Sequence, residues 1–415
     1  MQNNYYIPFS KEMKDTHTIL IPNMLPRHFK LVSAVLNQFG YKTVLLETSG
    51  QEIRDKGLAY THNDACYPAI LVIGQFLEAI ESGKYDPHKV ALVMFQTGGG
   101  CRASNYISLI RKALERAGYG YVPVLSLSFA GLEKHPGFKL TLPLLHKLLY
   151  AVLYGDLLLT LVNQTKPYEI NKGDAEALAD ELTKSLAEEL KGAVNYRKGK
   201  KVMCRIVERF MGIPVTQKST VRVGIVGEIF VKFSPLGNND LEQFLVDEGA
   251  EVVLPGLLDF FLYCVYNNMT DSRFYGIKRM MYPIVRLGYK IMLRVQADMN
   301  AILADSGRYR PGTPFSHTVE LTKGYISHGC KMGEGWLLTA EMLELSESGT
   351  KNIVCTQPFG CLPNHIAGKG MMNPIKRRNP DVNIIAIDYD AGASEINQHN
   401  RIKLMLENAR RNQSE

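Results

Sequence analysis

No two cysteines of this 415-residue chain stand two residues apart, so neither a zinc ribbon nor a thioredoxin-type redox pair has support. The opening stretch, MQNNYYIPFSKEMKD, holds no apolar signal core and no small-residue cleavage site. No unbroken apolar run reaches the about 20 residues a membrane span needs. The most apolar long stretch, Leu140 to Val162, is interrupted by His146, Lys147 and Asp156, and reads as a buried helix. These absences predict a cytoplasmic protein with no membrane contact. Gly98-Gly99-Gly100 is not followed by Gly-Lys-Ser/Thr, which leaves a Walker A loop unsupported. Gly224 and Gly227 do not meet the GxGxxG spacing of a dinucleotide site. Any use of ATP must therefore come from a partner. The net charge is +7, but Lys and Arg are spread along the chain. With no arginine-rich arm and no RNA-binding aromatic signature, nucleic acid is not an expected partner. The mild basicity suits an acidic partner protein or an anionic substrate.

What is present is a strand–helix alternation. His17–Pro22, Tyr41–Glu47, Val90–Phe95 and Tyr121–Leu127 read as strands, with helices over Arg27–Phe39, Tyr67–Glu81 and Ser104–Ala117. Asp174–Leu190, rich in Ala, Leu, Glu and Lys, reads as a solvated helix joining two lobes, and Lys200–Phe210 as another helix. The strand pattern restarts at Val221–Phe230, with a helix over 239–248, and continues at Glu251–Leu254, Asn352–Val354 and Val382–Asp388. At this length two domains are the natural expectation. The fold class is therefore α/β: two flavodoxin/Rossmann-like lobes with parallel sheets, at 1–165 and 216–415, joined by a helical segment at 166–215. Ligands in such folds sit beyond the carboxyl ends of the strands.

The seven cysteines are unevenly placed. Cys355 and Cys361 flank a loop stiffened by Pro358, Gly360 and Pro363, which makes either a metal corner or one buried thiol and one chance cysteine. Cys66, in Asn63-Asp64-Ala65-Cys66-Tyr67-Pro68, and Cys101, after the Gly98–Gly100 run, are expected at strand-to-helix turns on one rim. Helix N-termini there suit thiolates. The glycines either let the backbone approach a bulky group or form a simple turn. Cys330 lies at a Gly-flanked break before a helix near Trp336, a fair ligand position. Cys264, among Phe260, Phe261 and Leu262, is equally a core thiol or a ligand. Cys204, mid-helix, reads as a packing thiol. His62, His328 and His365 lie near these cysteines, as proton donors or as capping residues. Removing Cys204 leaves six thiols, the number that would hold two iron–sulfur cubanes; a single cubane takes four ligands.

The motifs NDACYP, GGGCR, GEIF, QPFGCLPNH and DYDAGASEINQHNRIKLML resemble the 2-hydroxyacyl-CoA dehydratase / benzoyl-CoA reductase superfamily. Within it they are most similar to the branch related to acyl-CoA dehydratase activases, which includes double-cubane-cluster proteins. The resemblance implies flavodoxin-like lobes with an iron–sulfur cluster between them. It also implies reduction by a separate ATP-hydrolysing activase that carries its own cluster. The activase portion that some relatives carry fused in front is lacking here, so the partner is expected in trans, with a homodimer or a related second subunit. Carried over by motif, Cys66 and Cys101 match the two first-lobe ligands, and Cys361 or Cys330 the late one. Cys355 and Cys264 fit a second cubane, giving an 8Fe-9S double cubane where a dehydratase subunit would hold one 4Fe-4S cluster. The expected activity is an iron–sulfur oxidoreductase acting on a small molecule; a dehydratase subunit and a non-catalytic electron-relay or assembly subunit are the alternatives.

Overall fold

The computed structural model describes residues 6–95, 100–127 and 133–414. The first lobe runs β1 (Thr18–Pro22), α1 (Pro26–Gln38), β2 (Lys42–Leu46), α2 (Gln51–Tyr60), α3 (Tyr67–Glu81), β3 (Val90–Phe95), α4 (Tyr106–Arg116) and β4 (Val124–Leu127). Three helices follow: α5 (Leu142–Thr165), α6 (Asp174–Lys191) and α7 (Tyr196–Met211). The second lobe contains β5 (Arg222–Gly227), β6 (Glu251–Val253), α8 (Leu257–Phe274), α9 (Tyr282–Asp305), α10 (Trp336–Glu347), β7 (Asn352–Pro358), α11 (Gly370–Arg378), β8 (Asn383–Tyr389) and α12 (Glu395–Ser414). Each lobe has one four-stranded sheet, in the orders β2-β1-β3-β4 and β6-β5-β7-β8. All six pairings are parallel. The α/β class with two Rossmann-like lobes is as the alternation implied. The inner strands β1, β3, β5 and β7 are buried along most of their length, because helices cover both faces; this is why they read as continuous apolar runs.

The two sheets share one strand order, a structural repeat that no sequence similarity announces. Their cores also merge. Leu157, Leu158 and Leu161 of α5 lie in one apolar cluster with Leu262 of α8, Leu303 of α9 and Trp336 of α10. Leu142–Thr165 is long and apolar enough to cross a membrane, but most of it is buried inside this cluster. Its one acidic residue has a structural reason. The Asp156 carboxylate accepts from the backbone N–H groups of Leu257 (2.7 Å) and Leu258 (2.8 Å), at the orphan N-terminus of α8, and lies 2.8 Å from His28 Nε2. Asp156 is thus the polar peg between the lobes.

Two sequence expectations are corrected. Asp174–Leu190 is not a free solvated connector: Ala175, Ala179, Leu182, Leu186 and Leu190 form a buried stripe packed against α1 and α5. The strand beginning at Asn352 runs on to Pro358, so Cys355 lies inside β7, in register with Val226 and Ala386, and not on a loop.

Helices α2 and α3 cross backbone on backbone. A Cβ at Gly74 would sit 2.0 Å from the Ile53 carbonyl oxygen, and one at Gly57 would sit 2.1 Å from that of Ile70. Backbone cannot rotate away as a side chain can, so Gly74→Ala must pry the helices apart. The expected loss is roughly 1–3 kcal/mol, the usual range for overpacking. Urea denaturation measures it, and a midpoint equal to wild type would refute the crossing.

Candidate functional site

In both sheets the strands run parallel, so each lobe has a single carboxyl edge, and loops from the two edges meet. Cys66 is the residue preceding α3, with Pro68 in the first turn. It lies at a helix-to-helix turn, because α2 intervenes after β2; the expected strand-to-helix turn is corrected accordingly. Cys101 follows β3 and caps the short turn Arg102–Asn105, where the Ala103 N–H points to its Sγ at 3.4 Å. Two glycines of the run before it, Gly98 and Gly99, lie outside the described residues. The Tyr106 hydroxyl donates to Cys66 Sγ at 3.0 Å, and Arg102 donates to the Asp64 carbonyl, which ties the two cysteine loops together.

From the second lobe, Cys361 sits on the turn after β7, where Gly360 takes φ +69°. Asn364 Nδ2 donates to Cys361 Sγ at 3.3 Å, and the His365 N–H bonds the Cys361 carbonyl at 2.9 Å. The loop 327–335 closes the site. The Tyr263 hydroxyl lies 2.9 Å from the carbonyl oxygens of both Lys331 and Gly333, and the Trp336 N–H donates to the Cys330 carbonyl at 2.7 Å. A Cβ on Gly333 would lie 3.7 Å from Cys101 Sγ and 3.3 Å from Pro363. A Cβ on Gly100 would lie 2.4 Å from Met332 Sδ. Both lobes therefore touch at the cysteines.

The electrostatics link thiols of both lobes, and Cys355 also feels Cys361. Burial pushes the Cys66 thiol far up, Glu228 adds to the shift, the Tyr106 hydrogen bond opposes it, and Cys361 and Cys101 add smaller repulsions. Cys66 is thus within electrostatic reach of both other thiols. Cys361 is pushed up to about 12, chiefly by burial, with Glu334 and Glu228 contributing. Glu228, on the turn after β5, is raised to about 8 by burial and by Glu334, although the backbone N–H groups of Val231 and Phe230 oppose this. Glu334 accepts from the Ile229 N–H at 3.0 Å. Burial thus favours the protonated forms of Cys66, Cys361, Glu228 and Glu334. Such a set is poorly suited to nucleophilic catalysis, which needs a depressed thiol pKa. It suits a positively charged group, which would displace the protons and turn the sulfurs into ligands.

Not every candidate joins. Cys264 is on α8, packed against the main core, with its thiol raised to about 12 by burial and Glu334. Cys355 is fully buried in a core with Val226, Met342 and Ile384, and a Cβ at Gly368 would lie 3.2 Å from its Sγ. Cys330 is half-buried on the closing loop, and burial raises its thiol. Cys204, on α7, packs against the core as a small apolar side chain would. His328 is held by Thr322 (2.7 Å) against Trp336, and His62 is exposed beside Asp64. Among the described residues, no three His, Cys, Asp or Glu side chains form a group that could hold one metal ion. A single zinc, with Zn–S near about 2.3 Å, needs its ligands tightly gathered. An iron–sulfur cubane takes one thiolate per iron, so its ligands stand wider apart.

Sequence reasoning missed Tyr106, Glu334 and Asn364 as parts of the site. Asn364 Oδ1, beside Cys361, and Gln357 Oε1, near the end of β7, are both buried without a hydrogen-bond partner. Buried orphan acceptors of this kind mark a place where another group belongs. No protein-family model matches the chain, and no curated protein matches it.

Proposed function

We propose that the protein is an iron–sulfur reductase component, which accepts low-potential electrons from a separate ATP-hydrolysing activase and passes them to a small molecule. One observation carries the reading: Cys101 of the first lobe and Cys361 of the second both lie within electrostatic reach of Cys66, in a site whose burial favours protonated thiols and carboxyls. Three thiolates are one short of a cubane's four ligands, which would leave one iron open to substrate. The cluster would supply one-electron chemistry. The chain's own residues would anchor it, hold Cys361 through Asn364, hold Cys66 through Tyr106, and keep water out by closing the 327–335 loop.

A second reading, a 2-hydroxyacyl-CoA dehydratase subunit with one 4Fe-4S cluster, is favoured by the packing of Cys264 and Cys355 into apolar cores. Anaerobic reconstitution with iron and sulfide analysis counts the cubanes: about four irons per chain for one and about eight for a double cubane, which the dehydratase reading does not allow. Cys361→Ser is expected to remove most of the bound iron, and Cys204→Ser none of it. Full iron retention in a Cys66→Ser/Cys101→Ser/Cys361→Ser protein would end the proposal.

A further inference from the structure

Between Arg273 and Arg294 the chain carries six cations, Arg273, Lys278, Arg279, Arg286, Lys290 and Arg294, and no acidic residue. This segment is the tip and one helix of the α8–α9 hairpin. Val285, Tyr289 and Leu293 pack inward, but other apolar side chains of the segment point outward. Met280 is 93% exposed, Ile284 63% and Leu287 60%, with Ile277 and Ile291 also exposed. Ile284, Leu287 and Ile291 follow the three- and four-residue spacing of one helix face. Among the described residues none of the six cations sits in an ion pair; Arg273 donates to the Tyr282 hydroxyl, and Arg294 donates to the Tyr196 hydroxyl with Asp298 in electrostatic reach. Some surface cations elsewhere, such as Arg27, Arg205 and Arg209, pair with glutamates. Arg273 and Arg279 also line a hollow of about 280 Å³ with Ser272, Tyr282 and Pro283, wide enough for a carboxylate side chain.

The face is continuous with the cysteine site. Lys331 pairs with Asp271 of α8 and lies 5.9 Å from the Tyr275 ring centroid. The same loop carries Cys330 and Gly333, the latter against Cys101. We propose that this hairpin face is the docking surface for an acidic protein with an apolar centre, which delivers electrons to the cysteine site. Its electron-donating role rests on the iron–sulfur reading; the acidic character of the partner rests on the charge pattern alone. An exposed apolar face rimmed by one sign of charge calls for a partner of the opposite sign. A second copy of this chain is disfavoured, because a two-fold contact would set six cations against six. A lipid surface fits the rim, but leaves the continuity with the cysteine loop without a role.

The test uses the full chain without iron and a small acidic 4Fe-4S ferredoxin as probe. Interferometry should show binding at low salt that weakens as salt rises. An Arg279→Glu/Arg286→Glu/Lys290→Glu variant should bind about tenfold more weakly or worse, because rim charges set encounter rate and salt dependence. Leu287→Asp, exposed and so tolerated by the fold, should also weaken binding. The thermal midpoint of each variant should match wild type. Salt-insensitive binding, or none, overturns the proposal. So does a dimer in sedimentation that Leu287→Asp dissociates, or binding to phosphatidylserine vesicles that the charge reversal abolishes. Iron uptake is read separately: a chain that takes up no iron on anaerobic reconstitution yet still binds the ferredoxin refutes the iron–sulfur reading and leaves the docking surface standing.

Discussion

Glu341→Ala is expected to destabilise the folded protein by about 3 kcal/mol, because it strands a buried ammonium. Lys232 Nζ donates to Glu341 Oε1 at 2.9 Å, and the two side chains are only 4% and 2% exposed. Lys232 stands on the helical turn after β5 and Glu341 on α10, so the pair bridges two elements of the second lobe. Breaking one side of a buried pair costs about 3–5 kcal/mol, while replacing both sides with apolar groups of like volume is often neutral. The low end applies here because Glu334 and Glu344 also feel Lys232 and would supply part of the lost counter-charge. The Lys232→Met/Glu341→Leu double variant should therefore regain most of the loss. Urea denaturation of the two single variants and the double variant measures the coupling. Additive losses would show that Lys232 and Glu341 do not act as a pair.

The fold was legible where physics leaves a local mark. β3 and α3 begin and end where their apolar runs do, since Val90–Phe95 is buried on both faces and Tyr67–Glu81 is closed in by Pro68 at one end and by Ser82-Gly83 at the other. α2 was missed because its helix is weakly amphipathic: only Ile53 and Gly57 are buried, and its packing is carried by the glycine crossing. The α8–α9 hairpin was missed as a unit for a related reason. Its outer face is apolar, so the pattern that marks a core helix is present on the side that faces solvent. The three converging thiols stood at visible breaks in the chain, at Pro68, Gly100 and Gly360. Their mutual approach was not visible, since it depends on which way two sheets face. Cys355 misled because the Pro358 and Gly360 that follow it mark a turn three residues later than the thiol. Glu334 and Tyr106 gave no signal at all, because their roles come from neighbours far away in the chain.

The second large effect is a loss of stability on the alkaline side. Glu228, Glu334, Glu341, Glu344 and Asp259 are buried near one another, with Lys232 as the cation they share. One ammonium cannot compensate five carboxylates in a low-dielectric interior, so burial keeps protons on most of them. Glu344 is raised from 4.5 to about 7 by burial and by Glu341, with Thr318 donating to it at 3.2 Å. Asp259 is raised well above the usual range by burial, then by Glu344 and Asp156. A raised pKa means that the native state binds more protons than the unfolded chain. The stabilisation is complete below the unfolded value and is lost as pH rises to the folded one. For Glu344 that window runs from about 4.5 to about 7, and at about 1.36 kcal/mol per unit the loss is about 3 kcal/mol. Gln mimics the protonated acid and does not titrate. Glu344→Gln should match wild type near pH 5 and exceed it by about 2–3 kcal/mol near pH 8, by urea denaturation at the two pH values. Parallel stability curves would mean that Glu344 is ionised in the native state, and that the buried acids are solvated by something other than their own protons.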